Sequence, residues 1–272
     1  TLKDQYDLSV FDLSKGFPDA SKIKTLLIVK PTTPFSDLDK LKIDQYVMGG
    51  GNIIWAVDKL YAEYDSLQKT DGSYVSFDRG LALDDLLFKY GIRINSNLVQ
   101  DLNCAKLPLV VGTQGDGSPL IQRVPWPYYP FLNGNDNHPI AQNMDRVLSL
   151  FPSSIDTLSS NGIKHTILLT TDTSSRSLPS PAQVSLNSVK GEEDMVQFKQ
   201  HHFPIAVLSE GNFNSFFENR LSQVLKDSVQ QNLGVAFVSK GKPSKQIFIA
   251  DADLFTNKVD KSNGPLPMGM IP

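Results

Sequence analysis

Two aspartates two positions apart, Asp251 and Asp253, follow an apolar run at residues 247–250. If that run is a strand, both carboxylates stand at its carboxyl end, where open α/β sheets bind ligands. At i and i+2 they could face one site and hold a hard cation. The same residue type also starts turns, because an Asp carboxylate accepts from backbone amides two residues on. The turn is the reading the local sequence favours, and no metal site or cofactor is assigned. Asp58 closes a second apolar run and could share the same rim.

The aromatic and proline run at residues 125–131 is the candidate contact surface, through Trp126, Tyr128, Tyr129 and Phe131. Trp and Tyr offer large, stiff contact area and are common interface anchors. The same rings could form a carbohydrate platform, or fold back over the core; the sequence weighs these readings about equally. Cys104 sits in Leu-Asn-Cys-Ala-Lys-Leu-Pro, without the tight glycine elbow of a nucleophile, so small apolar packing suits it better. None of His138, His165, His201 and His202 has metal-ligand spacing, and structural or surface roles are expected. The glycines Gly49, Gly50 and Gly51 follow a helical pattern and precede a strand. A phosphate cradle needs the opposite order, so they read as a helix stop.

These residues need a frame to hold them. Residues 24–58 read as strand, loop, amphipathic helix, glycine stop and second strand. The run at 26–29 lacks alternation, as in a strand covered on both faces. Ser36 is the expected N-cap, with Asp37 and Asp39 in the first turn. Leu38, Leu41, Ile43, Tyr46 and Val47 make the apolar stripe, and Gly49 is expected at the left-handed position after it. Residues 6–13 alternate and predict a strand parallel to 26–29. A short helix is expected over 59–66 and half of a small hairpin over 74–77. A helix over 81–90, stopped by Gly91, and a strand over 92–99 complete an α/β pattern with a parallel sheet.

From residue 101 the texture becomes β-rich. Residues 107–111 and 120–124 predict an antiparallel pair with a flexible tip. The prolines at 125, 127 and 130 argue against a central strand there. Residues 140–150 hold a short helix or strand. Strands are further expected over 166–170, 184–189, 203–209, 234–238 and 246–250, the last two joined by a turn at 240–243. An exposed loop is expected over 171–181, a helix over 213–225 and a loop over 228–233. The expected division is 1–100, an α/β core built on the βαβ unit, and 101–272, a β-rich portion whose last strands can return to that sheet.

At 272 residues the chain can bury a substantial core. Its net charge of −3 and scattered Lys and Arg give no reason to expect a nucleic-acid partner. One cysteine excludes an internal disulfide and a multi-cysteine zinc site. No apolar run is long enough to cross a membrane. The abrupt start at Thr1 and the proline-rich stop read as cut points in a longer, membrane-anchored protein.

Several stretches in order resemble the soluble region of the GldG family, gliding-motility auxiliary components of ABC transporters. They are Tyr6-Asp7 with Phe11-Asp12-Leu13, Leu27-Ile28-Val29-Lys30-Pro31 with Pro34-Phe35-Ser36, and Ile43-Asp44-Gln45-Tyr46-Val47 running into Gly49-Gly50-Gly51 and closing on Asp58. Pro125-Trp126-Pro127-Tyr128-Tyr129-Pro130, His138-Pro139-Ile140, Ser153-Ser154-Ile155-Asp156, Glu210-Gly211-Asn212-Phe213 with Ser215-Phe216-Phe217, and Ala250-Asp251-Ala252-Asp253 follow. The resemblance implies a largely parallel sheet flanked by helices, of the class I glutamine amidotransferase-like or flavodoxin-like kind, related to intraflagellar-transport domains. It implies terminal strand and helix elements lying outside Thr1–Pro272, and no agreed catalytic residues. The expected function is non-enzymatic: an extracytoplasmic accessory domain at the periplasmic face of the inner membrane, binding ABC transporter permease and ATPase subunits in gliding motility or envelope export. The rival readings are a carbohydrate or small-ligand binding module, and an amidotransferase-like hydrolase using Cys104.

Overall fold

The computed structural model describes residues 2–70, 72–186, 192–200, 202–234, 236–256, 259–260 and 264–265. In chain order its elements are β1 (Thr25–Val29), α1 (Asp37–Met48), β2 (Asn52–Ala56), α2 (Tyr64–Gln68), β3 (Ser73–Ser76), α3 (Asp84–Lys89), β4 (Ile92–Ile94), β5 (Asn97–Asp101), β6 (Cys104–Thr113) and β7 (Pro119–Gly134). Then come β8 (Val147–Leu148), β9 (Ile155–Thr157), β10 (Ile163–Thr170), β11 (Ser175–Pro179), β12 (Ala182–Ser185), α4 (Glu192–Met195), β13 (Pro204–Asn214), α5 (Gln223–Leu233) and β14 (Lys240–Ile249). A 3-10 turn, Ala252–Phe255, follows β14.

The main sheet runs β1-β2-β14-β13-β10-β7-β6, with β8 paired to β7. Only β1, β2 and β14 are mutually parallel; the other pairings are antiparallel. The expected fold class is therefore corrected. The chain is mostly β, built on a curled mixed sheet, and is not a parallel sheet flanked by helices of the flavodoxin-like kind. Two departures explain it. The expected strand at 92–99 splits into β4 and β5, which pair outside the main sheet with β9 and β11. Residues 6–13 form no strand. The third parallel strand is instead β14, from the far end of the sequence, laid against β2 with Phe248 opposite Trp55. Short strands β3 and β12 pair with each other, so residues 74–77 are not half of a local hairpin.

The βαβ unit itself forms in parallel register, Thr25 opposite Asn52 through Val29 opposite Ala56. Ser36 caps α1 through a reciprocal capping box: its hydroxyl accepts from the Asp39 amide, and the Asp39 carboxylate accepts from the Ser36 amide. The amphipathic stripe is a poorer description. Leu38 is exposed, while Lys40 through Met48 are all buried, the polar ones included. The left-handed position falls on Gly50, at φ +93°, and Gly49 stays right-handed. Gly51 is needed for another reason: a Cβ there would lie 2.2 Å from the Tyr46 ring.

β1 is the margin of the sheet and not a strand covered on both faces, and Leu27 and Val29 are exposed. Apolar continuity alone does not distinguish a covered strand from an uncovered edge. At the other end, β7 runs through all three prolines. Its register against β6 jumps from Lys106–Pro125 to Cys104–Pro130, so Pro127 lies in a wide bulge, and β10 touches β7 only at Asn133 and Gly134. Prolines are tolerated where the ladder is already broken.

Near the C-terminus the expected helix at 213–225 begins only at Gln223, and α5 takes in the expected loop at 228–233. Phe213, Phe216 and Phe217 are core residues on the approach to it. No strand forms at 236–238, and the expected turn at 240–243 is the start of β14. β11 lies inside the stretch expected to be a loop at 171–181.

Candidate functional site

The three parallel strands end together, and the polar residues just beyond them converge. Lys30 follows β1, Asp58 follows β2, and Asp251 and Asp253 follow β14. Asp58, Asp251 and Asp253 can bring one carboxylate oxygen each within 4.8 Å of one another. Sequence reasoning placed these three on a common rim, and the structure brings them together.

Each carboxylate also has local work. Asp251 is fully buried: Oδ2 accepts from the Ser149 hydroxyl at 2.5 Å and the Leu150 amide at 2.7 Å, and Oδ1 accepts from the Asp253 amide at 2.8 Å. It thus caps the 3-10 turn and ties β14 to the chain leaving β8. Asp58 Oδ1 accepts from the Ala252 amide at 2.7 Å. Lys30 bridges Asp253 at 2.5 Å and Asp58 at 3.3 Å. It sits at φ +49°, a left-handed conformation uncommon outside glycine, while its amide still bonds Ala56. The buried Arg79 guanidinium lies 3.8 Å from the same Asp58 oxygen that Lys30 meets and 3.6 Å from Glu63, stacked on the Tyr61 ring.

Burial pushes Asp251 up to about 7, opposed by the Ser149 hydrogen bond and reinforced by the nearby Asp58 charge. Burial likewise raises Asp58, against the pull of Lys30. For Lys30, burial works downward, but the Asp58 and Asp253 carboxylates outweigh it and hold the ammonium above its ordinary value. Three carboxylates in this spacing suit a hard cation. Here, however, the Lys30 ammonium pairs with two of them, Asp58 and Asp253, and Arg79 lies beside Asp58. Two of the three carboxylates are thus paired from within, while the Asp58 Oδ2 and Arg79 Nη2 atoms are buried without a hydrogen-bond partner.

The rings singled out at the sequence level go elsewhere. Trp126, Tyr128 and Tyr129 are buried, and Trp126 packs against Tyr64, Tyr128, Tyr129 and Phe151 at centroid distances of 4.8–5.9 Å. The Trp126 indole donates to the Ser185 carbonyl and the Tyr128 hydroxyl to that of Gln183. Only Phe131 is half-buried, opposite Leu148. A contact surface has to be sought outside this core. Cys104 is half-buried, and burial, with Asp101 nearby, pushes its thiol up to about 11, away from nucleophile chemistry. His165 pairs with Ser209 across β10 and β13 at 2.8 Å, and its pKa is lowered by burial. The His138 ring accepts from the Ile140 amide, His202 Nδ1 lies 3.3 Å from the Thr171 carbonyl, and His201 is outside the described residues.

Two further features stand out: one escaped the sequence, and the other is the antiparallel pair that it predicted. One is a second buried carboxylate, Asp44 on α1, which accepts from the Tyr90 and Ser215 hydroxyls, the Phe216 amide and the Gln45 side chain. Its only signal is a charged residue inside an apolar helical stripe. The other is a projecting ribbon. Beyond the pair Leu109–Gln122, β6 and β7 leave the body, and Val110 and Ile121, directly opposite each other, are 67% and 60% exposed.

These features define the class: a mostly β domain on a curled mixed sheet, with a polar cluster paired through Lys30 at its strand ends and an apolar ribbon at one margin. The chain belongs to the family described as ABC-type uncharacterized transport system, whose model matches residues 1–270. It is an auxiliary component of an ABC-type transport system. No curated protein matches it. Among solved structures it is similar to one titled mmIFT52 N-terminal domain, at 12% identity and a TM-score of 0.40, over 89% of this chain and 70% of that one. No helix among the described residues is long and apolar enough to cross a membrane.

Proposed function

We propose that this chain is a non-enzymatic, extracytoplasmic accessory domain that works by binding other subunits of its ABC-type transport system. In this reading it belongs to the GldG type, stands on the periplasmic face of the inner membrane, and serves gliding motility or envelope export. Its partners are the permease and, through it, the ATPase.

The observation that carries the reading is the β6–β7 ribbon. Val110, Leu120 and Ile121 are exposed apolar residues on an extension that adds little to any core. Apolar side chains held out on a projecting arm suit a contact made with another protein. The strand-end cluster supports the same reading, since its charges answer one another, and the Cys104 thiol is held protonated.

The test uses the whole transport complex in cells that make it. Val110→Asp with Ile121→Asp should reduce recovery of the permease with the auxiliary subunit at least tenfold, with the circular dichroism of the isolated chain unchanged. Undiminished recovery would remove the ribbon as the contact.

A further inference from the structure

The two margins of the main sheet are built differently. β6, at one end, carries Lys106 and Pro108, two devices that discourage further strand pairing. β1, at the other, reads Thr-Leu-Leu-Ile-Val, with no charge, proline or bulge. Its outer backbone faces no strand among the described residues, and Leu27 and Val29 are exposed beside it. An open, apolar, unblunted edge is a template for another strand.

The same chain carries the sequence pattern of a strand where no strand forms. Tyr6, Leu8 and Val10 alternate with Asp7 and Ser9, the period of an extended strand. All five are exposed, Val10 completely, and no ladder includes them. The chain that follows is pinned. Asp12 closes a turn by accepting from the Ser14 amide and hydroxyl, and the Lys42 ammonium, on α1, donates to the Leu13 carbonyl. The Ile23 amide bonds Asp19, and the Ile23 carbonyl receives the Tyr46 hydroxyl. Leu13 and Ile23 are therefore both held to α1, and residues 6–11 precede the first of these anchors, while the open edge lies in the sheet.

We infer that two copies of this chain associate by exchanging residues 6–11, each copy's segment adding as a strand to the β1 edge of the other. Exchange of one element between identical copies is a low-cost route to a symmetric dimer. It closes both open edges and covers Leu27 and Val29 with the partner's alternate side chains. The inference is independent of the ribbon contact, which lies at the opposite margin.

Sedimentation of the full chain should show a monomer at low concentration and twice the chain mass at high concentration. Val10→Pro removes an amide from a fully exposed position that lies in no ladder, and Leu27→Lys places a charge at the receiving edge. Each should abolish the dimer and leave the monomer folded. Mixing a Val10→Cys chain with a Leu27→Cys chain under mild oxidation should give a disulfide-linked pair. A monomer at every concentration would overturn the inference. So would a dimer that survives Val10→Pro, which would mean direct pairing of β1 with β1. A chain carrying both cysteines that closes on itself when dilute would place the segment in its own edge and overturn it as well.

Discussion

Asp251 shows how far one residue's chemistry can be set by its surroundings. Its carboxyl is fully buried among three hydrogen-bond donors and beside two other carboxylates, and burial raises it from 3.8 to about 7. Between those values the folded chain holds a proton that the unfolded chain has released. Its contribution is complete below the unfolded value and is lost as the pH rises to about 7. This group alone should lower stability by about 1.4 kcal/mol for each pH unit in that window. Asp251→Asn cannot accept from all three donors, so it should cost about 1–3 kcal/mol at about pH 5, a cost that shrinks as the pH rises to about 7. It should also make the slope of stability against pH shallower by one proton. Urea melts from pH 5 to 8 on both chains measure this, and equal slopes would show that Asp251 is ionised throughout. Sequence pattern gave the place of this residue, at a strand end beside Asp253 and across from Asp58. It could not give Lys30 or Arg79, because nothing local in the chain pairs them with carboxylates so distant in sequence.

At the scale of elements, what was legible followed from local chemistry. The capping box at Ser36, the left turn at Gly91 and the ribbon of β6 and β7 depend on neighbours in sequence, and each is where its residues put it. What failed depended on long-range pairing: whether residues 26–29 were inside or at an edge, whether residues 6–13 joined them, and where three prolines could fit. The glycine stop shows both sides. Its position was evident, yet the demand on Gly51 comes from the Tyr46 ring, fully buried and fixed by its hydroxyl's bonds to the Ile23 and Asn52 carbonyls. That ring cannot withdraw from a Cβ at 2.2 Å. Gly51→Ala should therefore cost about 1–3 kcal/mol through overpacking. Gly112→Ala, in the ribbon with nothing within 4 Å of its Cβ, should change stability by less than about 0.5 kcal/mol. Paired denaturant melts decide it, and equal losses would mean that Tyr46 yields.

Taken whole, the molecule separates what holds it together from what it presents. The aromatic cluster around Trp126 joins β7, β12 and the Phe151 turn, three distant parts of the chain, into one core. The ribbon, which continues β6 and β7, shares none of that burial among its described side chains past Leu109 and Gln122. If stability resides in the body and recognition in the ribbon, the two should be separable. Replacing residues 110–121 by a two-residue turn should move the thermal midpoint by less than about 3 °C, since few buried contacts are lost. Trp126→Ala should cost about 3–5 kcal/mol, because it opens a cavity among four rings and removes the indole's hydrogen bond to the Ser185 carbonyl. The shortened chain should fold and yet fail to recover the permease, whereas weak recovery by the Trp126→Ala chain should follow its loss of folded protein. Calorimetry beside co-purification distinguishes the two. A shortened chain that melts as early as the Trp126 variant would make the ribbon part of the body, and its exposed apolar residues would then need an explanation other than a partner.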